Sequence, residues 1–148
     1  MAAGYWTPEP FEADDGSIPF ERFVNDLSNF KVDALTVAID RILTVQGIDL
    51  VRTEWLKALG DGLHEFRIRH TAAEVARLFG GDDVAPPAGP TEKVLLRVFV
   101  HFHGRKIILL LGGYDKGDDP KERRQQREIQ SARRLLTQFR QRQRRSSR

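Results

Sequence analysis

The chain has 148 residues, 40% hydrophobic and 30% charged, with a net charge of +3 and no cysteine. That is one folded domain's worth of sequence, and it excludes a disordered polyelectrolyte, a disulfide framework, a thiolate zinc site and a cysteine nucleophile. The charge is unevenly placed: residues 1–93 hold 9 Lys/Arg against 16 Asp/Glu, and residues 94–148 hold 15 against 5, so a polyanion would meet the second half first.

In chain order, Tyr5, Trp6 and Phe11, interrupted by Pro8 and Pro10, predict a short extended segment suited to a sheet edge. Its acidic residues and prolines do not make a secretion signal. Asp14, Asp15 and Gly16 form a turn, Ser17 is the expected N-cap, and Pro19 falls in the first turn of a short helix to about Leu27. Val32, Leu35, Ile39 and Ile42, spaced three and four apart, predict a second helix that Gly47 ends. A mixed segment with Trp55, Leu56 and Leu59 follows. The Gly60-Asp61-Gly62 turn then introduces the first clear strand, residues 63–70.

Along that strand Phe66 and Ile68 point one way while Glu65, Arg67 and Arg69 point the other. Three charges on one side predict a face open to solvent or to a ligand. Thr71 and Glu74 have capping-box spacing for a short helix whose apolar side is Val75, Leu78 and Phe79, and residues 80–90 read as a surface loop. A hairpin comes next, around His103, Gly104 and Arg105. In its first strand Val94, Leu96, Val98, Val100 and Phe102 share one face, and Leu95, Arg97, Phe99, His101 and His103 the other; its second strand is apolar on both faces and therefore central. Gly112 and Gly113 let the backbone bend, leaving Tyr114, Asp115 and Lys116 just past the strand end. Ile129, Ala132, Leu136 and Phe139 mark a last helix from near Pro120, polar or basic elsewhere. The longest apolar run, Ile107 to Leu111, is far too short to cross a bilayer. One domain, residues 1–142, with 70–93 as an inserted helix and loop and 143–148 as a frayed basic tail, is the expected organisation.

The runs Phe11 to Phe23, Leu59 to Ile68, Leu109 to Lys116 and Glu128 to Arg133 occur in an order that resembles the HigB branch of the RelE/ParE toxin superfamily, phage-related toxins encoded beside a helix-turn-helix antitoxin. The resemblance covers about residues 5 to 136, and its most specific part is the strand Gly62-Leu-His-Glu-Phe-Arg67. It departs from the family at two places. Residues 70–93 are an insertion, and Tyr114-Asp115-Lys116-Gly117 stands where the family has an aromatic followed by paired lysines, so Asp115 replaces one expected cation.

The resemblance implies an α+β fold: two N-terminal helices packed on a curved, mostly antiparallel, four-stranded sheet, with a C-terminal helix beside it. It also implies a cytoplasmic toxin that cuts messenger RNA on the ribosome without metal or other cofactor. A HigA-like antitoxin would hold it silent.

Such cleavage uses the 2′-hydroxyl of the RNA as nucleophile. The enzyme then needs a base near the hydroxyl, cations around the phosphate and an acid near the leaving oxygen. Arg67 and Arg97, mid-strand on the charged face, are the expected phosphate clamps, with Arg69 as helper. Alternatively, Arg67 pairs with Glu65 as a structural ion pair. Glu65 or His64 could serve as base, although His64 shares a face with Phe66 and Ile68, where a core role is the usual one. His101 and His103 lie on the face of Arg97 and are better placed, His101 as an RNA contact, while His103 borders the hairpin turn and is expected to be solvent-exposed. Tyr114 could stack on a base or donate a proton, or be a core-edge aromatic, and Lys116 could neutralise the phosphate or the leaving oxygen. Arg123, Arg124, Arg127, Arg133, Arg134 and Arg140 on the last helix would meet RNA phosphates in any sequence. A non-enzymatic ParE-like toxin that binds DNA gyrase, a decayed relative, and a plain nucleic-acid-binding module whose last helix does everything are the competing readings.

Overall fold

The computed structural model describes residues 5–79 and 94–147. The expected surface loop at 80–90 lies outside them, as do the side chains of Leu78 and Phe79. The fold is α+β: strand β1 (Thr7–Pro10), helices α1 (Pro19–Asn25) and α2 (Asn29–Ala38), a π-turn (Ile39–Leu43) running into α3 (Thr44–Gln46), a 3-10 turn (Gly47–Arg52), strands β2 (Leu56–Gly60) and β3 (Leu63–Ile68), helix α4 (Ala72–Phe79), strands β4 (Leu96–His103) and β5 (Ile107–Asp115), and the long helix α5 (Glu122–Ser146).

The sheet has five strands in the order β1-β5-β4-β3-β2, antiparallel except for the parallel edge pair β1 and β5. This corrects the expected four. The added strand is β2, which pairs with β3 through the Gly60–Gly62 turn, where Gly60, Asp61 and Gly62 all take positive φ. Leu56-Lys-Ala-Leu-Gly has no β-branched residue and a single buried side chain, so nothing local marks it as a strand. The prolines of β1 sit on the sheet edge, where a missing N–H removes no ladder bond.

Local signals elsewhere act as their chemistry dictates. Thr71 N–H donates to Glu74 Oε1 (3.0 Å) and Glu74 N–H to Thr71 Oγ1 (3.2 Å), a reciprocal capping box that starts α4. Ser17 does not cap α1, however: its hydroxyl and N–H both donate to Asp15 Oδ1, and the cap position falls to Ile18 with Pro19 opening the helix. α5 runs on through Ser146, so residues 143–146 are helical rather than frayed.

Two apolar layers enclose the sheet. On one side Phe66, Ile68, Leu96, Val98, Val100, Ile108 and Leu110 pack against Phe20, Phe23, Leu35, Ile42, Leu43 and Trp55. On the other, Leu63, Phe99, Leu109, Leu111 and Tyr114 pack against Phe11 and the α5 residues Ala132 and Leu136, flanked by Ile129, Leu135 and Phe139. Each such side chain, fully buried, contributes about 1.5–3 kcal/mol. The part of this face that carries Glu65 and Arg97 is therefore covered by α5, and only its end, at Arg67 and Arg69, stays open as the charges of β3 suggested.

A bulge in β5 decides what joins that face. Phe99 pairs with Gly112, but Val100 pairs with Leu110, which leaves Leu111 as an extra residue. Gly112 takes φ +136°, a conformation that L side chains rarely adopt, and a Cβ on Gly113 would lie 2.6 Å from the Arg97 carbonyl oxygen and 2.8 Å from the Phe23 ring. Past the bulge the alternation shifts by one, so Tyr114 shares the α5 side with Leu109 and Leu111. It lies inside the strand, directly beside Arg97, rather than past its end.

Candidate phosphate site at the end of the sheet

Three neighbouring strands bring Arg67, Arg97 and Tyr114 into one row, in register across β3, β4 and β5. Beneath that row Glu65 is fully buried. Its Oε1 accepts a hydrogen bond from Arg67 Nε (2.9 Å) and lies 3.7 Å from Arg97 Nε, and its Oε2 accepts from Gln125 Nε2 (3.2 Å) on α5. Arg97 is only 3% exposed, and among the described residues its Nε and Nη1 have no hydrogen-bond partner. Burial pulls its pKa below the ordinary arginine value, with Arg67 and Arg69 pulling the same way and Glu65 opposing. Arg67 keeps 20% of its side chain exposed, Arg69 is exposed, and Lys116, one residue past β5, is half-buried. Lys116 is pulled below the ordinary lysine range by partial burial and then by Arg97, Arg67 and Arg69, against Glu65. Arg67, Arg69, Arg97 and Lys116 thus form one electrostatic group around a single carboxylate. Arg67, Arg69 and Lys116 make its accessible rim, and Arg97 with Glu65 its floor.

Several expected roles do not survive this geometry. Glu65 has no solvent contact and both its oxygens are engaged, so it orients Arg67 and offsets the charge of Arg97 instead of reaching a hydroxyl; the ion-pair alternative for Arg67 is the arrangement seen. Tyr114 is 2% exposed, its ring stacked on Phe99 with the Arg124 guanidinium 5.4 Å away, its hydroxyl buried without a partner among the described residues and its pKa pushed up to about 12 by burial. It can neither stack on a base nor give up a proton here. His101 sits four residues along β4 from Arg97, roughly 13 Å away. There it is stacked on His103, faces Phe139 and bonds the Gly62 carbonyl through Nδ1 (2.8 Å). It belongs to the seam under α5. His64 packs edge-on to Phe102 in the opposite layer, as its strand position suggested. Asp115 pairs with Lys31 and caps the following turn by accepting from Gly117 N–H.

The arginines of α5 divide into two sets. Arg133 donates to the Leu59 and Gly60 carbonyls and Arg140 to that of Asp61, while Arg142 pairs with Asp14 across the Phe11 ring and Arg124 with Glu128. These hold the helix to the sheet or brace it, which corrects the expectation that Arg124, Arg133 and Arg140 are free for RNA. Arg123, Arg127 and Arg134 are exposed. Gln125 escaped sequence reasoning altogether, since a glutamine among arginines carries no local signal. Among the described residues no group of three His, Asp or Glu side chains is placed to hold a metal ion, and no helix is long and apolar enough to cross a membrane. No family model, curated protein or solved structure matches the chain.

Proposed function

We propose that the protein is a toxin of the RelE/HigB type that cuts messenger RNA on the ribosome, holding the scissile phosphate at the rim formed by Arg67, Arg69 and Lys116. The observation that carries this reading is the gathering of four cations, with one carboxylate, at one end of a rigid sheet. In the reaction the 2′-oxygen bonds to phosphorus as its proton passes to a water molecule. The bond from phosphorus to the 5′-oxygen breaks, and that oxygen takes up a proton from water, giving a 2′,3′-cyclic phosphate and a 5′-hydroxyl. Arg67 and Arg69 face the phosphate oxygens, Arg97 strengthens the field from beneath, and Lys116 meets the charge on the leaving oxygen. Preorganised donors of this kind are worth on the order of 10²–10³ in rate each. Glu65 and Tyr114 act as positioning residues. A HigA-like antitoxin, ribosome docking and a cytoplasmic site of action belong to the same reading.

The test is to map messenger RNA 5′ ends after induction. The wild type should give new ends inside translated reading frames, and Lys116→Ala and Arg67→Ala, both at the accessible rim, should remove them while the fold persists. New ends unchanged in both variants and in their double would refute the site. One observation favours a second reading, a ParE-like toxin that binds gyrase without cutting: the carboxylate and the phenol of the cluster are both enclosed. That reading expects altered supercoiling and no new 5′ ends.

A further inference from the structure

Five arginines of α5 make no part of the site just described. Arg123, Arg127, Arg134, Arg144 and Arg145 are all exposed. At 100° per residue they fall within an arc of about 100° on the side of the helix turned away from the sheet. The other exposed residues of that arc, Gln126, Gln130, Thr137 and Gln141, are uncharged, and the two glutamates of the helix lie off it, Glu128 being paired with Arg124. From Arg123 to Arg145 the row spans about 33 Å. Like charges four residues apart, as at Arg123 and Arg127, cost a helix a few tenths of a kcal/mol, and a chain with 21 Asp/Glu places none of them on this arc to relieve it.

We infer that this outer arc of α5 is a docking rail for the phosphate backbone of helical RNA, a binding surface separate from the rim of Arg67, Arg69 and Lys116. Two features select the ligand. Single-stranded RNA is gripped by stacking its bases on aromatic side chains, and the only aromatic residue of α5, Phe139, is turned inward against His101 and His103. A lipid surface takes a helix through an apolar face, and the arc has no apolar residue. What remains is a straight, rigid row of guanidinium forks, which suits a rigid ridge of phosphates and reads no sequence.

The test uses the full chain and a 20-base-pair 2′-O-methyl RNA duplex, which keeps A-form geometry and has no attacking hydroxyl, so binding is read whether or not the protein cuts RNA. Affinity is measured by anisotropy across a salt series. Each phosphate contact contributes about 0.9 to the slope of log affinity against log salt. Replacing all five arginines with Gln should therefore lower the slope by about four and weaken binding more than tenfold at 100 mM salt, with no change in melting temperature. Replacing five exposed cations elsewhere, Arg22, Arg41, Arg52, Lys57 and Arg105, should change affinity less than threefold. Should the fivefold variant melt lower, the Arg123/Arg127/Arg134 triple, which leaves the last turn intact, is read instead, with a slope drop of nearly three. Equal losses in the rail and control variants, or tighter binding to polyglutamate, to single-stranded RNA or to phosphatidylserine vesicles than to the duplex, would overturn the inference.

Discussion

Replacing Glu65 with Gln keeps the shape of the side chain and its bond from Gln125 but removes the only carboxylate that, among the described residues, pairs with Arg97. Arg97 is 3% exposed, with Nε and Nη1 lacking hydrogen-bond partners among the described residues, so the offset of its charge comes from Glu65 at 3.7 Å. Breaking a buried pair from one side costs about 3–5 kcal/mol, because the remaining charge stays out of water. Arg67, 20% exposed, turns to solvent at little cost and adds little to the loss. For a domain of this size that corresponds to a drop in melting temperature of roughly 10–15 °C. Removing both charges, as Glu65→Gln with Arg97→Met, should recover most of the loss, since an apolar side chain of similar length no longer needs a counter-charge. Urea denaturation of the two single variants and the double, analysed as a thermodynamic cycle, measures the coupling. A cost below about 1 kcal/mol for Glu65→Gln, or a double variant as unstable as the sum of the singles, would refute the view that Glu65 is held in the fold by Arg97.

Tyr114→Phe removes a buried hydroxyl that has no partner among the described residues, so stability should hold or rise by up to about 1 kcal/mol and, under the proposed function, RNA cutting should persist; a loss of cutting beyond tenfold with the fold intact would return a catalytic role to the phenol. Leu136→Ala empties the centre of the α5 seam and should cost about 2–5 kcal/mol, read by urea denaturation, with faster limited proteolysis within α5. His64, His101 and His103 all lie below the usual value of 6.5, burial being the largest cause in each. A histidine whose folded pKa is depressed contributes stability that is complete above pH 6.5 and lost as pH falls toward the folded value. Melting temperature should therefore decline from pH 6.5 downward, and the His101→Asn/His103→Asn double should flatten that slope. A flat wild-type profile between pH 6.5 and 5 would contradict the seam's packing.

Much of the layout is legible along the chain because its causes are local. Alternation in β3 and β4 places Glu65, Arg67 and Arg97 on one face and Phe66, Ile68, Leu96, Val98 and Val100 on the other, since successive side chains of a strand point oppositely. The Thr71/Glu74 capping box, the apolar stripe of α2 and the edge prolines of β1 likewise depend on residues within a turn or two of one another. What covers a face is another matter. The apolar stripe of α5 is visible in sequence, but that it lies on the Arg67 and Arg97 side of the sheet is settled by contacts such as Gln125 to Glu65, 60 residues apart, and Arg133 to Leu59, 74 apart. The same docking divides nine chemically identical arginines into tethers and solvent-facing cations. The bulge at Leu111 turns Tyr114 inward by one step of the alternation. Composition and spacing determined which groups are present and which of them share a face; burial, which turns a carboxylate from a base into a counter-charge, depends on long-range packing, and that exists only in the folded chain.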